Sequence, residues 1–149
     1  MSVEVVSHVP GRKLPLRRTK QAAQKILASL KQNRAELSVA LITDREIEKL
    51  NRKYRNQPKP TDVLSFPAGE LLAGRHPLLG DVVISVERAE EQAKAGGWTL
   101  DEEIDRLLIH GILHLLGYDH ERSKKEALVM RSMEKKISRA LCGKKAAAL

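Results

Sequence analysis

The stretch HGILHLLGYDH, residues 110–120, contains three of the five histidines in this 149-residue chain. His110 and His114 are four residues apart, so on a helix they lie one turn apart on the same face. A helix that continued beyond His114 would carry His120 away from this pair. Gly117 lies where a helix end favours a left-handed residue, and a chain reversal there returns His120 to the other two. The pattern therefore predicts that three imidazoles converge on one point.

Three converging imidazoles predict a site for one transition-metal ion per chain. Imidazole nitrogen is a common zinc ligand, and three protein ligands leave a coordination position open, as in catalytic zinc sites. Zn²⁺ is the first expectation, and nickel, iron, copper and cobalt also accept nitrogen ligands. We therefore expect His110, His114 and His120 to hold a catalytic metal.

The spacing HxxxHxxGxxH matches the metzincin-type protease signature HExxHxxGxxH except at one position. In those proteases the glutamate after the first histidine is the general base. Here that position is Gly111, which has no carboxylate to accept a proton from a metal-bound water. Peptide hydrolysis by that mechanism is therefore disfavoured.

Hydrophobic periodicity and capping residues predict four strands and five helices. The strands are expected at 3–9, 37–43, 61–66 and 81–85, and the helices at 15–30, 44–55, 86–95, 99–116 and after Ser123. Between them lies a Gly- and Pro-rich loop at 67–80. Alternation of this kind predicts an α/β or α+β sandwich. We expect a single domain over residues 1–142 and a flexible tail at 143–149.

Basic residues are concentrated in the first 60 residues. This part has 14 Lys and Arg against 5 Asp and Glu, whereas residues 61–149 have 13 against 14. Such an asymmetry favours a polyanionic partner, and with only 3% aromatic residues phosphate contacts are expected to outweigh base stacking. The N-terminus does not resemble a signal peptide, no apolar run is long enough to span a membrane, and the single cysteine cannot form an internal disulfide. A cytoplasmic location is expected.

Three segments together resemble one known family. HGILHLLGYDH, NRKYRNQPKPTDVLSFP (51–67) and LGDVVIS (79–85) are similar to the YbeY family of metal-dependent endoribonucleases. The resemblance implies a single-strand-specific endoribonuclease in 16S rRNA 3′-end maturation and ribosome quality control, with zinc on the three histidines. It also implies ribosomal or small-subunit partners, and it aligns the family's conserved arginine with Arg55. With the residue pattern, it predicts an α+β, zincin-like domain with a small mixed four-stranded sheet and about five helices.

Four further residues are candidates for roles beside the metal. The guanidinium of Arg55 matches the charge that collects on the oxygens of a phosphodiester during cleavage. Asp119 is expected to form a turn or to orient a ligand imidazole rather than to act as a base. Asp62 and Ser65 lie in a strand whose backbone, if it borders the cleft, can hold an extended substrate. The alternative is that Thr61 and Asp62 only end the preceding turn.

Two other classes of function stay open from the residues alone. One is a metallohydrolase of peptides, which needs a general base other than position 111. The other is a non-catalytic ribosome-assembly factor, in which the metal only stabilises an RNA-binding fold. Loss of the fold on chelation is the expected mark of that structural role.

Overall fold

One four-stranded sheet forms the centre of the computed structural model, which describes residues 2–68 and 78–142. Its strands are β1 (Ser2–Ser7), β2 (Glu36–Ile42), β3 (Val63–Pro67) and β4 (Leu78–Ser85). The order is β1-β2-β4-β3, with β1, β2 and β4 parallel and β3 antiparallel to β4 at an edge. The predicted mixed sheet is confirmed. Residues 69–77 of the predicted loop and the predicted tail 143–149 lie outside the described residues.

In the described part of the chain, five helices cover the two faces of this sheet, as the α+β prediction requires. They are α1 (Leu16–Ser29), α2 (Asp44–Arg55), α3 (Val86–Gly96), α4 (Leu100–Leu115) and α5 (Lys124–Cys142). Alternate residues of β4 point to opposite faces. Val82 and Ile84 pack in the larger core with α1, α3, α4 and α5, whereas Val83 packs in a smaller core with Ile47 of α2 and Phe66.

The start of β4 differs from the prediction. The composition of residues 78–80 predicts a loop, but the strand already begins at Leu78. A Cβ atom on Gly80 would lie 2.4 Å from the backbone oxygen of Phe66 and 2.7 Å from Cδ2 of Leu115. This glycine therefore marks a close approach between strand and helix rather than a turn, which is a known role of glycine inside strands.

Helix α4, which carries the first two histidines, is the central helix of the larger core. It begins with the predicted capping box: Glu102 N–H donates to Thr99 Oγ1 at 3.1 Å, and Thr99 N–H donates to Glu102 Oε1 at 2.9 Å. Its Ile104, Leu108 and Ile112 are completely buried, and it contacts α1, α3, α5, β3 and β4. A site built on this helix rests on a rigid support. Within the described residues, no helix is both long and apolar enough to cross a membrane.

Candidate metal centre

A Schellman motif ends α4 at the glycine that the sequence singled out. Gly117 has φ +97°, its N–H donates to the carbonyl of His114 at 3.0 Å, and the N–H of Tyr118 donates to the carbonyl of Leu113 at 3.0 Å. These are the two hydrogen bonds that define the motif. The predicted left-handed glycine is confirmed, and the chain reverses direction directly after it.

The reversal brings all three histidines of the motif together. The ring centroids of His110 and His114 are 4.7 Å apart, and that of His120 lies 5.2 and 5.3 Å from them. One nitrogen from each ring lies within 4.8 Å of the other two. Tetrahedral zinc with bonds of about 2.0–2.1 Å separates its ligand nitrogens by roughly 3.4 Å, so small side-chain rotations complete the set. The three residues therefore fit a transition-metal ion.

The protonation state of the central imidazole favours metal binding. Burial lowers the pKa of the His114 imidazole, and the neighbouring rings of His110 and His120 lower it further. Only the neutral imidazole has a lone pair for a metal. His114 therefore stays neutral, and able to bind a metal ion, down to a lower pH than an exposed histidine.

Glu134 of α5 is a site residue that the sequence reasoning missed. Its Oε2 lies 3.0 Å from Nδ1 of His110. A carboxylate on one ring nitrogen selects the tautomer and orientation in which the other nitrogen faces the metal. The signal was present in the sequence, because Glu134 follows Met130 by four residues and precedes Ile137 by three, and both are buried apolar residues on one face of α5. An acid within such an apolar stripe needs a partner.

The turn between the glycine and the third histidine is held by two charged side chains. Asp119 Oδ1 accepts a hydrogen bond from Glu121 N–H at 2.7 Å, and this backbone bond lowers the pKa of the Asp119 carboxyl. Arg122, also missed from the sequence, donates from Nη2 to the Gly117 carbonyl at 2.9 Å and places Nε 3.3 Å from Asp119 Oδ2. The carboxylate of Asp119 thus takes part in the turn, the first of the two roles expected for it.

Gly111 allows α4 to lie directly on the sheet. A Cβ atom at this position would lie 2.8 Å from Cγ1 and 3.1 Å from Cγ2 of Val82, and 3.2 Å from Oγ of Ser65. Ser65 Oγ also donates to the Gly111 carbonyl at 2.9 Å. The sequence alone related this glycine to the missing protease base. The structure adds a packing reason, because the space that a glutamate side chain needs is filled by β3 and β4.

Arg55 lies at the end of α2 against the edge strand β3. Its Nη1 donates to the Tyr54 carbonyl at 3.1 Å and its Nη2 to the Ser65 carbonyl at 2.8 Å, while the guanidinium stacks on the Phe66 ring at 4.7 Å. Ser65 therefore links Arg55 to the histidine helix. Its carbonyl accepts from Arg55, and its hydroxyl donates to the carbonyl of Gly111 on α4.

Asp62 occupies the turn before β3. Its Oδ1 accepts from the N–H of Val63 at 2.8 Å, and its Oδ2 accepts from Nε2 of Gln92 at 3.2 Å. These contacts agree with the alternative in which Asp62 only ends the turn before the strand. The strand that it precedes is an edge of the sheet, so the backbone of β3 keeps the position that the substrate-strand hypothesis requires.

Comparisons with known proteins identify the family. The family model described as endoribonuclease YbeY matches residues 8–142. The chain belongs to the YbeY family of endoribonucleases. Among its relatives, an endoribonuclease YbeY of Aquifex aeolicus is 48% identical over 141 residues, covering 92% of this chain and 93% of the relative. That of Persephonella marina is 54% identical over 119 residues, covering 79% and 78%.

A solved structure extends the YbeY comparison to the fold. The solution structure of TM1509 from Thermotoga maritima is similar at a TM-score of 0.67 and 31% identity, covering 98% of this chain and 93% of that one. The YbeY match from residue 8 to residue 142 contains the histidine cluster, Arg55 and Glu134. All the contacts described above therefore lie inside the part of the chain that carries the family's pattern.

Proposed function

We propose that this YbeY-family chain is a zinc-dependent, single-strand-specific endoribonuclease that acts in 16S rRNA 3′-end maturation and ribosome quality control. The observation that carries the proposal is the convergence of His110, His114 and His120, whose ligand nitrogens lie within 4.8 Å of one another and leave coordination positions open. We further propose a cytoplasmic location and contacts with ribosomal small-subunit proteins. Zinc is preferred because all three ligands are imidazoles, and related divalent metals are the alternatives.

The residues around the histidines have distinct roles in this proposal. A metal bound there would polarise a phosphoryl oxygen and lower the pKa of a bound water. Glu134 holds His110 through Nδ1 at 3.0 Å, which would leave its other nitrogen for the ion. Arg55 presents a fixed guanidinium that can pair with a phosphate of the substrate, and its stacking on Phe66 reduces the entropy lost on binding. The basic first 60 residues add a general attraction for RNA.

A peptidase function is disfavoured by the packing at position 111. A general base introduced there has no room, since even a Cβ atom would meet Val82 and Ser65 at 2.8–3.2 Å. Among the described carboxylates, Glu134 lies 3.0 Å from Nδ1 of His110 and Glu121 lies 3.8 Å from Nε2 of His120. Neither occupies the position of the protease base, which favours an RNA substrate over a peptide.

The test is cleavage of a labelled single-stranded RNA by metal-loaded protein beside His114→Ala prepared identically. We expect cleavage by the parent only, no cleavage of casein by either protein, and a metal content in the variant well below one ion per chain. Equal cleavage by both proteins would assign the activity to a contaminant or to another site. An active parent with full metal content in His114→Ala would remove this histidine from the ligand set.

A melting curve separates the catalytic metal from a purely structural one. If the ion only stabilises an RNA-binding fold, the chelated protein unfolds, and the metal-loaded protein binds RNA without cutting it. We expect the chelated protein to stay folded, because the larger core is made of apolar contacts among the helices and the sheet and does not include the cluster. Unfolding on chelation, with no cleavage after reloading, would support the assembly-factor alternative.

A further inference from the structure

A cavity of about 640 Å³ lies beside the histidine cluster, between α3, α4 and α5. Along α4 it extends from Glu102 to His110, which is about 12 Å of helix. Trp98, Leu107 and Ile109 contribute apolar wall, and His110 with its partner Glu134 lies at the end nearest the candidate metal centre. Its volume is within the range of small-molecule sites.

One arginine in this cavity is held in a fixed orientation. Glu103 is only 1% exposed, and its Oε1 accepts hydrogen bonds from Trp98 Nε1 at 2.7 Å and from Arg106 Nη1 at 2.8 Å. The guanidinium of Arg106 also lies over the Trp98 ring at 4.9 Å. The ring also lies against Gly96, where a Cβ atom has no room. Although its side chain is 55% exposed, Arg106 is therefore pre-organised for an anion.

Arg106 is aligned with the metal ligands. It precedes His110 by four residues on the same helix, so the two residues share a face. The guanidinium itself lies towards the start of α4, on Glu103 and Trp98. A strand with one phosphate at the histidines that runs along α4 towards Trp98 therefore passes Arg106.

Two further cations line the opposite wall. Arg131 and Lys135 are exposed on α5, again four residues apart, and neither makes an ion pair within residues 2–68 and 78–142. The acids that line the cavity are engaged: Asp62 with Gln92, Glu102 with Thr99, Glu103 with Arg106, Asp105 with Arg18, and Glu134 with His110. An occupant therefore meets an apolar floor, a rim with charges of both signs and, on α5, two cations that have no acidic partner among the described residues.

We propose that this cavity binds the nucleotide next to the phosphodiester that is cleaved at the histidine cluster. Its base lies on the apolar wall formed by Leu107, Ile109 and the edge of Trp98, and its phosphate pairs with Arg106, Arg131 and Lys135. The inference rests on the proposed endoribonuclease function and assigns it a substrate subsite. A flat, neutral base with an anionic phosphate matches this combination of surfaces better than an acidic peptide, because acidic side chains gain nothing from contact with the apolar floor.

The test uses Trp98, the only tryptophan of the chain, as a fluorescent probe inside the cavity. A 2′-O-methylated single-stranded oligonucleotide is titrated into metal-loaded parent, Arg106→Gln, the double variant Arg131→Gln/Lys135→Gln, and Arg139→Gln. Gln at position 106 keeps a donor for Glu103 but removes the charge. The Arg139 variant is the matched control, since this exposed arginine of α5 does not line the cavity.

We expect the oligonucleotide to change Trp98 fluorescence in the parent and in the control. In Arg106→Gln and in the double variant the affinity falls, and the slope of log affinity against log salt becomes shallower by about 0.7 for each phosphate that the variant no longer neutralises. For cleavable RNA, KM rises while kcat changes little. If Arg106 only neutralises Glu103, its variant melts at a lower temperature with the parent's salt slope, and the subsite is refuted.

Three outcomes would overturn this proposal, and the first two distinguish its failure from failure of the proposed function. RNA cleavage by the parent with no fluorescence change, and with parent-like slopes in both cavity variants, overturns the subsite and leaves the nuclease intact. Absence of RNA binding and cleavage by the parent overturns both. A fluorescence change with poly-glutamate but not with the oligonucleotide would assign the cavity to a protein partner, which also overturns the proposal.

Discussion

Replacing Gly111 with alanine tests whether close packing, rather than helix propensity, determines this position. The added Cβ would lie 2.8 Å from Cγ1 of Val82, where carbon atoms normally approach to about 3.5–4.0 Å. Val82 is completely buried and β-branched, so its side chain has few alternative rotamers. The helix must therefore move away from the sheet, which also lengthens the 2.9 Å hydrogen bond from Ser65 Oγ to the Gly111 carbonyl.

Opposing contributions set the size of the change in the free energy of unfolding. Overpacking costs about 1–3 kcal/mol, and weakening the Ser65 bond costs about 1 kcal/mol. Alanine recovers about 1 kcal/mol of helix propensity. We expect a net loss of about 2 kcal/mol in the free energy of unfolding, measured by urea denaturation of the chelated protein.

The control is the same substitution in a Val82→Ala background, which removes both clashing methyl groups. There Gly111→Ala should cost little or should stabilise by up to about 1 kcal/mol, because the close contact that is left, with Ser65 Oγ at 3.2 Å, is relieved by a small shift and alanine favours the helix. An equal loss in both backgrounds would show that Val82 is not the obstacle. A Gly111→Ala protein more stable than the parent would refute the packing argument entirely.

Three further predictions concern the charged side chains. Arg55→Glu should reduce RNA cleavage by at least about 100-fold without changing metal content. Arg45→Glu, the same change at an exposed site on α2, should reduce cleavage only slightly, through a weaker general attraction for RNA. An active Arg55→Glu enzyme would refute the proposed role of Arg55. Glu134→Gln should weaken metal binding by about 10–100-fold in a chelator competition, with the melting temperature of the chelated protein unchanged. A metal affinity equal to that of the parent would refute the role of Glu134 in orienting His110. Burial raises the pKa of Asp105 despite its bonds from Arg18 at 3.0 and 2.6 Å, so ionisation of Asp105 opposes folding above its unfolded pKa of about 3.9. Removing the cation in Arg18→Met raises the pKa of Asp105 in the folded protein further. The urea midpoint should therefore fall more at about pH 7 than at about pH 4. An equal fall in the midpoint at both pH values would contradict this account.

The helices, the strands and the convergence of the histidines were predictable from short stretches of sequence. The capping box at Thr99, the spacing of His110 and His114, and the glycine at 117 act through contacts within a few residues. Such contacts leave a local pattern, and the helix, its end and the returning His120 were all predicted from it. The mixed four-stranded sheet and five helices were predicted in the same way from periodicity, with help from the family resemblance.

The surroundings of that cluster depend on long-range packing and were not predictable in this way. Glu134 meets His110 across 24 residues, Ser65 meets Gly111 across 46, and Gly80 allows strand β4 to continue beside Leu115. These contacts depend on how far α5, β3 and β4 approach α4, and a periodic pattern carries no information on that distance. A glycine in a sequence signals conformational freedom and close packing alike, and the two are distinguished only when the neighbouring side chains are in place.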